Sequence, residues 1–254
     1  MGAKTGLLAY AAGSVADALR DRPAGTGGGE SAEALVRRLH PGWQVEPEAD
    51  DRANLGDSVY PPEDVAYAAC FPGVDICTQA VMVDYPSRLP KRYLNAADGR
   101  TVVLHAMHSV VDWLAFAIWR DGVLVRSLSV SPEHGVMEDI GERLPFEAPY
   151  WAGEHPVESA WEDDEDEDPY PLPFHPLELG EDALRALFGF IVEGRRMPDD
   201  IDADDVPVHR FRLTDPDGPT PEQRKAVREA LVARMKPPRI FHMQGGRLVE
   251  TDMP

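Results

Sequence analysis

The clearest pattern in the chain is an alternation of side chains between about residues 101 and 141. The apolar run from Trp113 to Trp119 sets large aliphatic and aromatic residues against alanine and tryptophan at every second position. After Asp121 and Gly122 the alternation resumes in the segment VLVRSLSVS. Asp-Gly between two such runs indicates a tight hairpin turn, because glycine tolerates the positive φ that the turn requires. The segment therefore predicts an antiparallel β-meander of three or four strands.

The second arm of the predicted hairpin has two different faces. One face carries the charged residue Arg126 among apolar side chains, and the other carries two serines. A strand with one apolar and one polar face is typical of an antiparallel sheet that is buried on one side. We therefore expect the face with Leu124, Arg126, Leu128 and Val130 to be buried, and the face with Val125, Ser127 and Ser129 to be partly exposed to water.

A helix is the alternative interpretation of the start of this segment. Apolar residues recur there at helical spacing, namely Leu104, Met107, Val111, Leu114 and Ile118. The β-branched residues Thr101, Val102 and Val103 and the position of the Asp-Gly turn favour strands instead.

Three segments outside the meander have helical patterns, near 14–22, 31–40 and 180–193. The last has Glu181 and Asp182 in its first turn and Gly194 at its end, which suits a helix dipole and a glycine cap. Together these features predict an α+β fold, with a mainly antiparallel sheet whose central β-meander (about 101–141) is covered by helices. We expect one domain over residues 1–194, and a linker with a C-terminal strand and helix extension over 195–254.

Charge narrows the range of partners. The chain carries 45 acidic against 25 basic residues, a net charge of −20, so nucleic acids and anionic membrane surfaces are not expected to bind it. The longest apolar runs are broken by charges well before the roughly 18 residues of a membrane span, and we expect a cytoplasmic protein.

Seven consecutive acids lie in a loop near 158–170 that is expected to be disordered. This stretch is the predicted binding segment for a basic protein partner, and consists of Trp161, Glu162, Asp163, Asp164, Glu165, Asp166, Glu167 and Asp168.

The residues with the best potential for chemistry lie in the meander. His105, His108 and Asp112 are side-chain types that bind zinc or iron. On a strand, however, the two histidines point to opposite faces, so the sequence assigns no metal site. Glu138 and Asp139 could instead join them as general acids and bases, which makes all five residues weak catalytic candidates. No glycine-rich loop has the spacing of a nucleotide-binding motif, and no cofactor is predicted.

Three segments resemble an uncharacterised family of soluble proteins from high-GC Gram-positive bacteria. They are MHSVVDWLAFAIWRDGVLVRSLSVSP, GVMEDIGERLPFE and PLPFHPLELGEDALRALFGF. The resemblance covers about residues 1–194 and implies a single bacterial cytoplasmic domain. It carries over no activity, cofactor or catalytic residue, because none is established for the family.

Two functional hypotheses follow. The first is a non-enzymatic binding or regulatory protein with a basic protein partner, of which an immunity-like inhibitor of a basic toxin is one version. The alternative is a metal-dependent hydrolase that uses the histidines and acids around the meander. The sequence assigns no oligomeric state.

Overall fold

A computed structural model describes the chain in seven stretches. Contacts between residues divide it into two compact units, residues 1–214 and residues 215–254. The described stretches are 3–22, 28–50, 52–80, 83–157, 170–234, 240–244 and 247–251.

The first unit is built on a nine-stranded sheet in which neighbouring strands are all antiparallel. The strand order is β2-β9-β3-β4-β1-β5-β6-β7-β8. The strands are β1 Lys4–Ala11, β2 Gln44–Glu48, β3 Val65–Phe71, β4 Val74–Thr78, β5 Thr101–His108, β6 Trp113–Arg120, β7 Val123–Ser131, β8 Gly135–Gly141 and β9 His209–Thr214.

The helices of the first unit begin and end at local capping signals. Ser14 accepts a hydrogen bond from the backbone N–H of Asp17 at the start of the first helix, and His175 caps the sixth in the same way. The sixth helix begins at Pro176, earlier than predicted, and ends where Gly189 adopts φ 84°, rather than at Gly194. The helices are α1 Val15–Arg20, α2 Gly29–Leu39, α3 Leu55–Ser58, α4 Lys91–Asn95, α5 Ala148–Trp151 and α6 Pro176–Phe188.

The predicted meander is confirmed as β5 to β8, and the helical alternative is wrong for this segment. Asp121 and Gly122 turn the chain between β6 and β7 with φ values of 50° and 74°. Asp112 also has a positive φ, 45°, in the turn between β5 and β6. Aspartate tolerates this conformation better than most residues with a Cβ, which explains its position between two apolar runs.

The prediction of a partly wet face on β7 is wrong for its two serines, although Val125 on that face is partly exposed. Ser127 and Ser129 are both fully buried. Trp113 donates its indole N–H to the Ser129 hydroxyl at 3.1 Å, and the Ser127 hydroxyl donates to the carboxylate of Glu138. Both serines are buried because each finds a hydrogen-bond partner inside the protein.

Side chains that alternate along the strands form apolar clusters on both faces of the sheet. On one face the clusters include Leu19 of α1 together with Leu184 and Phe188 of α6. On the other face the main cluster includes Leu35 of α2 and Tyr93 of α4. The described part of the first unit is therefore a mixed α+β fold with core on both sides of the sheet.

The segment 195–214, predicted to belong to a linker and C-terminal extension, contributes β9 to the sheet. This strand pairs with β2 on one side and β3 on the other. Its alternate residues Phe211 and Leu213 are buried in the same cluster as α2. Burial of these two apolar side chains favours the pairing of β9 with β2 and β3, although both strands are far from it in sequence.

The second unit contains α7 Pro221–Arg234 and a hairpin of β10 Ile240–Gln244 and β11 Arg247–Thr251. Thr220 and Gln223 form a capping box at the start of α7, each accepting a hydrogen bond from the other's backbone N–H. Among the helices of the described residues, none combines the length and the apolar character needed to cross a membrane.

Candidate functional site

His105 is a structural residue at the centre of the first unit. Its side chain is fully buried, with Nδ1 2.8 Å from the Thr5 hydroxyl and Nε2 2.9 Å from the backbone oxygen of Gly180. Because a carbonyl only accepts, Nε2 carries the proton and donates to Gly180, and Nδ1 accepts from Thr5. Burial lowers the pKa of His105 to about 4, against the opposing effect of the Gly180 bond. The neutral ring thus ties β5 to β1 and α6 and has both nitrogens engaged.

His108 and Asp112 lie apart from this ring. His108 is on the other side of β5 and contacts the edge of Tyr60, with ring centroids 6.0 Å apart. Burial and the nearby charge of Lys4 lower its pKa. The Asp112 carboxylate is 3.7 Å from Nε2 of His175, the residue that caps α6. The fold therefore pairs Asp112 with a histidine from the loop before α6.

Glu138 and Asp139 are engaged in bonds within the meander. Glu138 accepts hydrogen bonds from the backbone N–H and hydroxyl of Ser87 and from the Ser127 hydroxyl. Asp139 forms ion pairs with Arg126 and Arg143. Their strand, β8, is three positions from β5 in the sheet, so the five weak catalytic candidates do not form one site.

The described stretches contain no group of three or more His, Cys, Asp or Glu side chains placed to hold a metal ion. The predicted partner-binding segment, from Trp161 to Asp168, lies outside the described residues. Its role as a binding segment stays a prediction.

A cavity of about 750 Å³ lies at the end of the sheet where β1 and β6 end and β5 begins. We call it the sheet-end cavity. Its walls come from parts of the chain that are far apart in sequence: the turn after β1 and the start of α1, the strands β5 and β6, the segment 144–146, and the last turns of α6. The volume falls within the roughly 300–1,000 Å³ that is common for small-molecule sites.

The lining of the sheet-end cavity is mainly apolar. Val103 and Ile118 form its floor on the sheet, and Leu144, Phe146 and Leu187 face them from the segment 144–146 and from α6. Large apolar side chains around an open space favour a ligand with an apolar body.

Polar groups are few in the cavity and converge at the sheet. Arg120, the last residue of β6, and Thr101, the first residue of β5, both line it. The β5–β6 register pairs Val102 with Trp119, so the next position brings Thr101 alongside Arg120. Neither residue belongs to a motif or a cluster that marks it in the sequence. The one sequence feature that could have pointed to this site is the charge of Arg120 at the end of an otherwise apolar strand.

The antiparallel sheet, the helices and this cavity define an α+β protein with a ligand-sized cavity. A family model described as "Family of unknown function (DUF6928)" matches residues 5–211, and the chain belongs to this family. The resemblance to an uncharacterised family is thereby confirmed. No curated protein and no solved structure matches the chain significantly.

Proposed function

We propose that this protein is a non-enzymatic binding protein whose ligand site is the sheet-end cavity. The observation that carries the proposal is the cavity itself, about 750 Å³ with predominantly apolar walls. In this proposal α1 and α6 cover the face of the sheet that carries the cavity. The cavity provides binding surface, whereas the five catalytic candidates are distributed over separate structural contacts.

The arrangement of candidate catalytic residues supports binding over hydrolysis. His105 is neutral and has both ring nitrogens bonded, and burial keeps its pKa about 4. Glu138 accepts three hydrogen bonds from serines that fix its position. A general acid or base needs access to a substrate proton, which neither group has in these contacts.

An uncharged fluorescent probe tests the proposal. N-phenylnaphthylamine should bind the full chain at one site with increased, blue-shifted emission, because the apolar walls exclude water from the dye. Ala186 is an exposed residue at the rim of the cavity. The variant Ala186→Trp places an indole in the opening. We expect it to weaken probe binding by about tenfold or more, since a pocket occupied by a large side chain loses most of its contact area.

The matched control is Ala226→Trp, which adds the same side chain at an exposed position of α7 in the second unit. It should bind the probe like the wild type. Failure of the wild type to bind, or equal weakening in both variants, would contradict the assignment of the cavity as the ligand site.

A basic protein partner is the second candidate, and the charge distribution favours it. The net charge is −20, and seven consecutive acids run from Glu162 to Asp168 beside Trp161. A surface of this kind steers cationic partners toward itself, and the attraction weakens as salt screens it. An immunity-like inhibitor of a basic toxin is the specific version of this candidate. Nucleic acids and membranes are not expected partners, and a bacterial cytoplasm is the expected location.

Capture from a cell extract at low and moderate salt tests the second candidate. The wild type should retain basic proteins at low salt and release them as salt rises. A variant in which the seven acids are replaced by their amides should retain few of them. Equal recovery by the wild type and the amide variant would remove the acidic stretch as the binding segment.

A further inference from the structure

Arg120 lines the sheet-end cavity without a carboxylate partner among the described residues, whereas several buried or half-buried arginines of the first unit have one. Arg100 pairs with Asp75, Arg126 with Glu147 and Arg185 with Asp200. Among the described residues Arg120 forms no ion pair. This is notable in a chain whose acids outnumber its bases 45 to 25. Within the described part of the chain, the Arg120 guanidinium is therefore free to receive an anion at the cavity.

The backbone determines where this cation lies. Ile118 and Arg120 are two positions apart on β6, so their side chains point to the same face of the sheet, where both line the cavity. Thr101 presents a hydroxyl from the neighbouring strand at the same level. A guanidinium and a hydroxyl side by side offer several donors in a small space, and a guanidinium matches a carboxylate in geometry.

The other walls of the cavity indicate the chemistry of the rest of such a ligand. Val103, Ile118, Phe146 and Leu187 present apolar surface beyond the polar pair. An inorganic anion would leave this surface in contact with water, and an uncharged hydrocarbon would leave the guanidinium without a partner. A molecule with an apolar body and one carboxylate satisfies both parts of the cavity.

From these observations we infer that the sheet-end cavity binds a small amphipathic carboxylate, with the carboxylate on Arg120 and Thr101 and the apolar body against the far wall. The inference rests on the proposed function, because it names the ligand class of the same cavity. The contact with Arg120 is at the mouth, where the side chain is exposed. Its contribution is therefore reduced by solvent and should fall further as salt increases.

Calorimetric titration of the full chain with decanoate and with decanol tests the inference, at concentrations below micelle formation. The two probes share an apolar chain and differ in charge. We expect decanoate to bind about threefold to fivefold more tightly, the effect of one solvent-exposed ion pair. Arg120→Met should remove that difference by weakening decanoate by the same factor while leaving decanol unchanged.

Lys91→Met is the matched control, because it removes one positive charge from an exposed position of α4, whose Tyr93 packs on the opposite face. This variant should keep the preference for decanoate, and circular dichroism should show that both variants remain folded.

Equal binding of decanoate and decanol by the wild type would overturn the carboxylate assignment and leave the cavity as a site for apolar ligands. Equal weakening of both probes by Arg120→Met would also overturn it. Binding of neither probe would overturn the proposed function itself.

Discussion

Arg126 on β7 and Glu147, twenty-one residues later, form an ion pair in which both side chains are fully buried. Nε of Arg126 donates to Oε1 of Glu147 at 2.8 Å, and Asp139 pairs with the same guanidinium. Burial acts to lower the pKa of Arg126, but the hydrogen bonds and charges of Glu147 and Asp139 outweigh it and raise that pKa. Glu147 also accepts from the backbone N–H of Leu144, so the pair holds a wall of the sheet-end cavity to the meander.

Arg126→Met should lower the free energy of unfolding by about 3–5 kcal/mol, because it leaves a buried carboxylate without its countercharge. Urea denaturation measures the change. The control is Arg196→Met, which breaks an ion pair with Asp202 whose side chains are about half exposed and should cost no more than about 1 kcal/mol. Adding Glu147→Leu to Arg126→Met should recover part of the loss, since the stranded charge is then removed. If Arg126→Met costs no more than Arg196→Met, the buried pair does not stabilise the fold as described.

His105 should make the protein less stable in mild acid. Burial lowers its folded-state pKa to about 4, whereas an unfolded histidine has a pKa of about 6.5. Between these values the unfolded chain binds a proton that the folded chain does not, so stability falls as pH drops through this window and levels off below it. At about pH 5 the loss relative to neutral pH is on the order of 2 kcal/mol from this residue.

Denaturant unfolding of the wild type and His105→Gln at about pH 7 and about pH 5 checks this linkage. The variant cannot titrate at this position, so its stability should depend less on pH, although its stability at neutral pH is also expected to be lower. His40, whose pKa is also lowered to about 4, first by burial and then by the charge of Arg92, should supply part of the remaining dependence. The same pH dependence in the wild type and His105→Gln would contradict the assignment.

Gly141 should not tolerate a side chain. Its φ is 83°, and a Cβ there would collide with the backbone oxygen of Val125 on the neighbouring strand. Gly42 has a similar φ of 86° but open space around it. We expect Gly42→Ala to cost about 1–2 kcal/mol from backbone strain alone, and Gly141→Ala to cost more. Thermal unfolding of the two variants measures the difference, and equal losses would show that the strand approach at Gly141 is looser than described.

Glu138→Gln should weaken the connection between β8 and the segment around Ser87. The carboxylate accepts a 3.0 Å hydrogen bond from the Ser87 N–H and further bonds from two hydroxyls. A neutral amide replaces these charge-assisted hydrogen bonds by weaker neutral ones, at a cost of about 1 kcal/mol. Hydrogen exchange at the Ser87 amide should become faster. Glu142→Gln, at an exposed position just beyond β8, is the control and should leave that amide unchanged.

Much of the secondary structure follows from local patterns that the sequence shows directly. The alternation from Trp113 to Trp119 and the Asp-Gly turn specify the β6–β7 hairpin, because strand period and turn conformation depend on neighbouring residues alone. Ser14 and Thr220 mark the starts of their helices for the same reason. The separation of His105 from His108 also follows from the strand period.

The sites were not predictable in this way, because they depend on contacts between distant parts of the chain. Arg126 looked like a charge on an apolar face, and only the fold supplies Glu147 as its buried partner. Asp112 meets His175, and Glu138 meets Ser87, through loops whose paths no local pattern specifies.

The sequence by itself determined the meander, the helix starts and the acidic character of this protein, since each depends on residue type and short-range spacing. Tertiary structure alone decided that β9 enters the sheet between β2 and β3, and that Thr101 and Arg120 meet beside apolar residues from the segment 144–146 and α6. The physical reason is that apolar burial is non-directional: it favours many pairings of the same segments, and the choice among them is made by the packing of the whole unit.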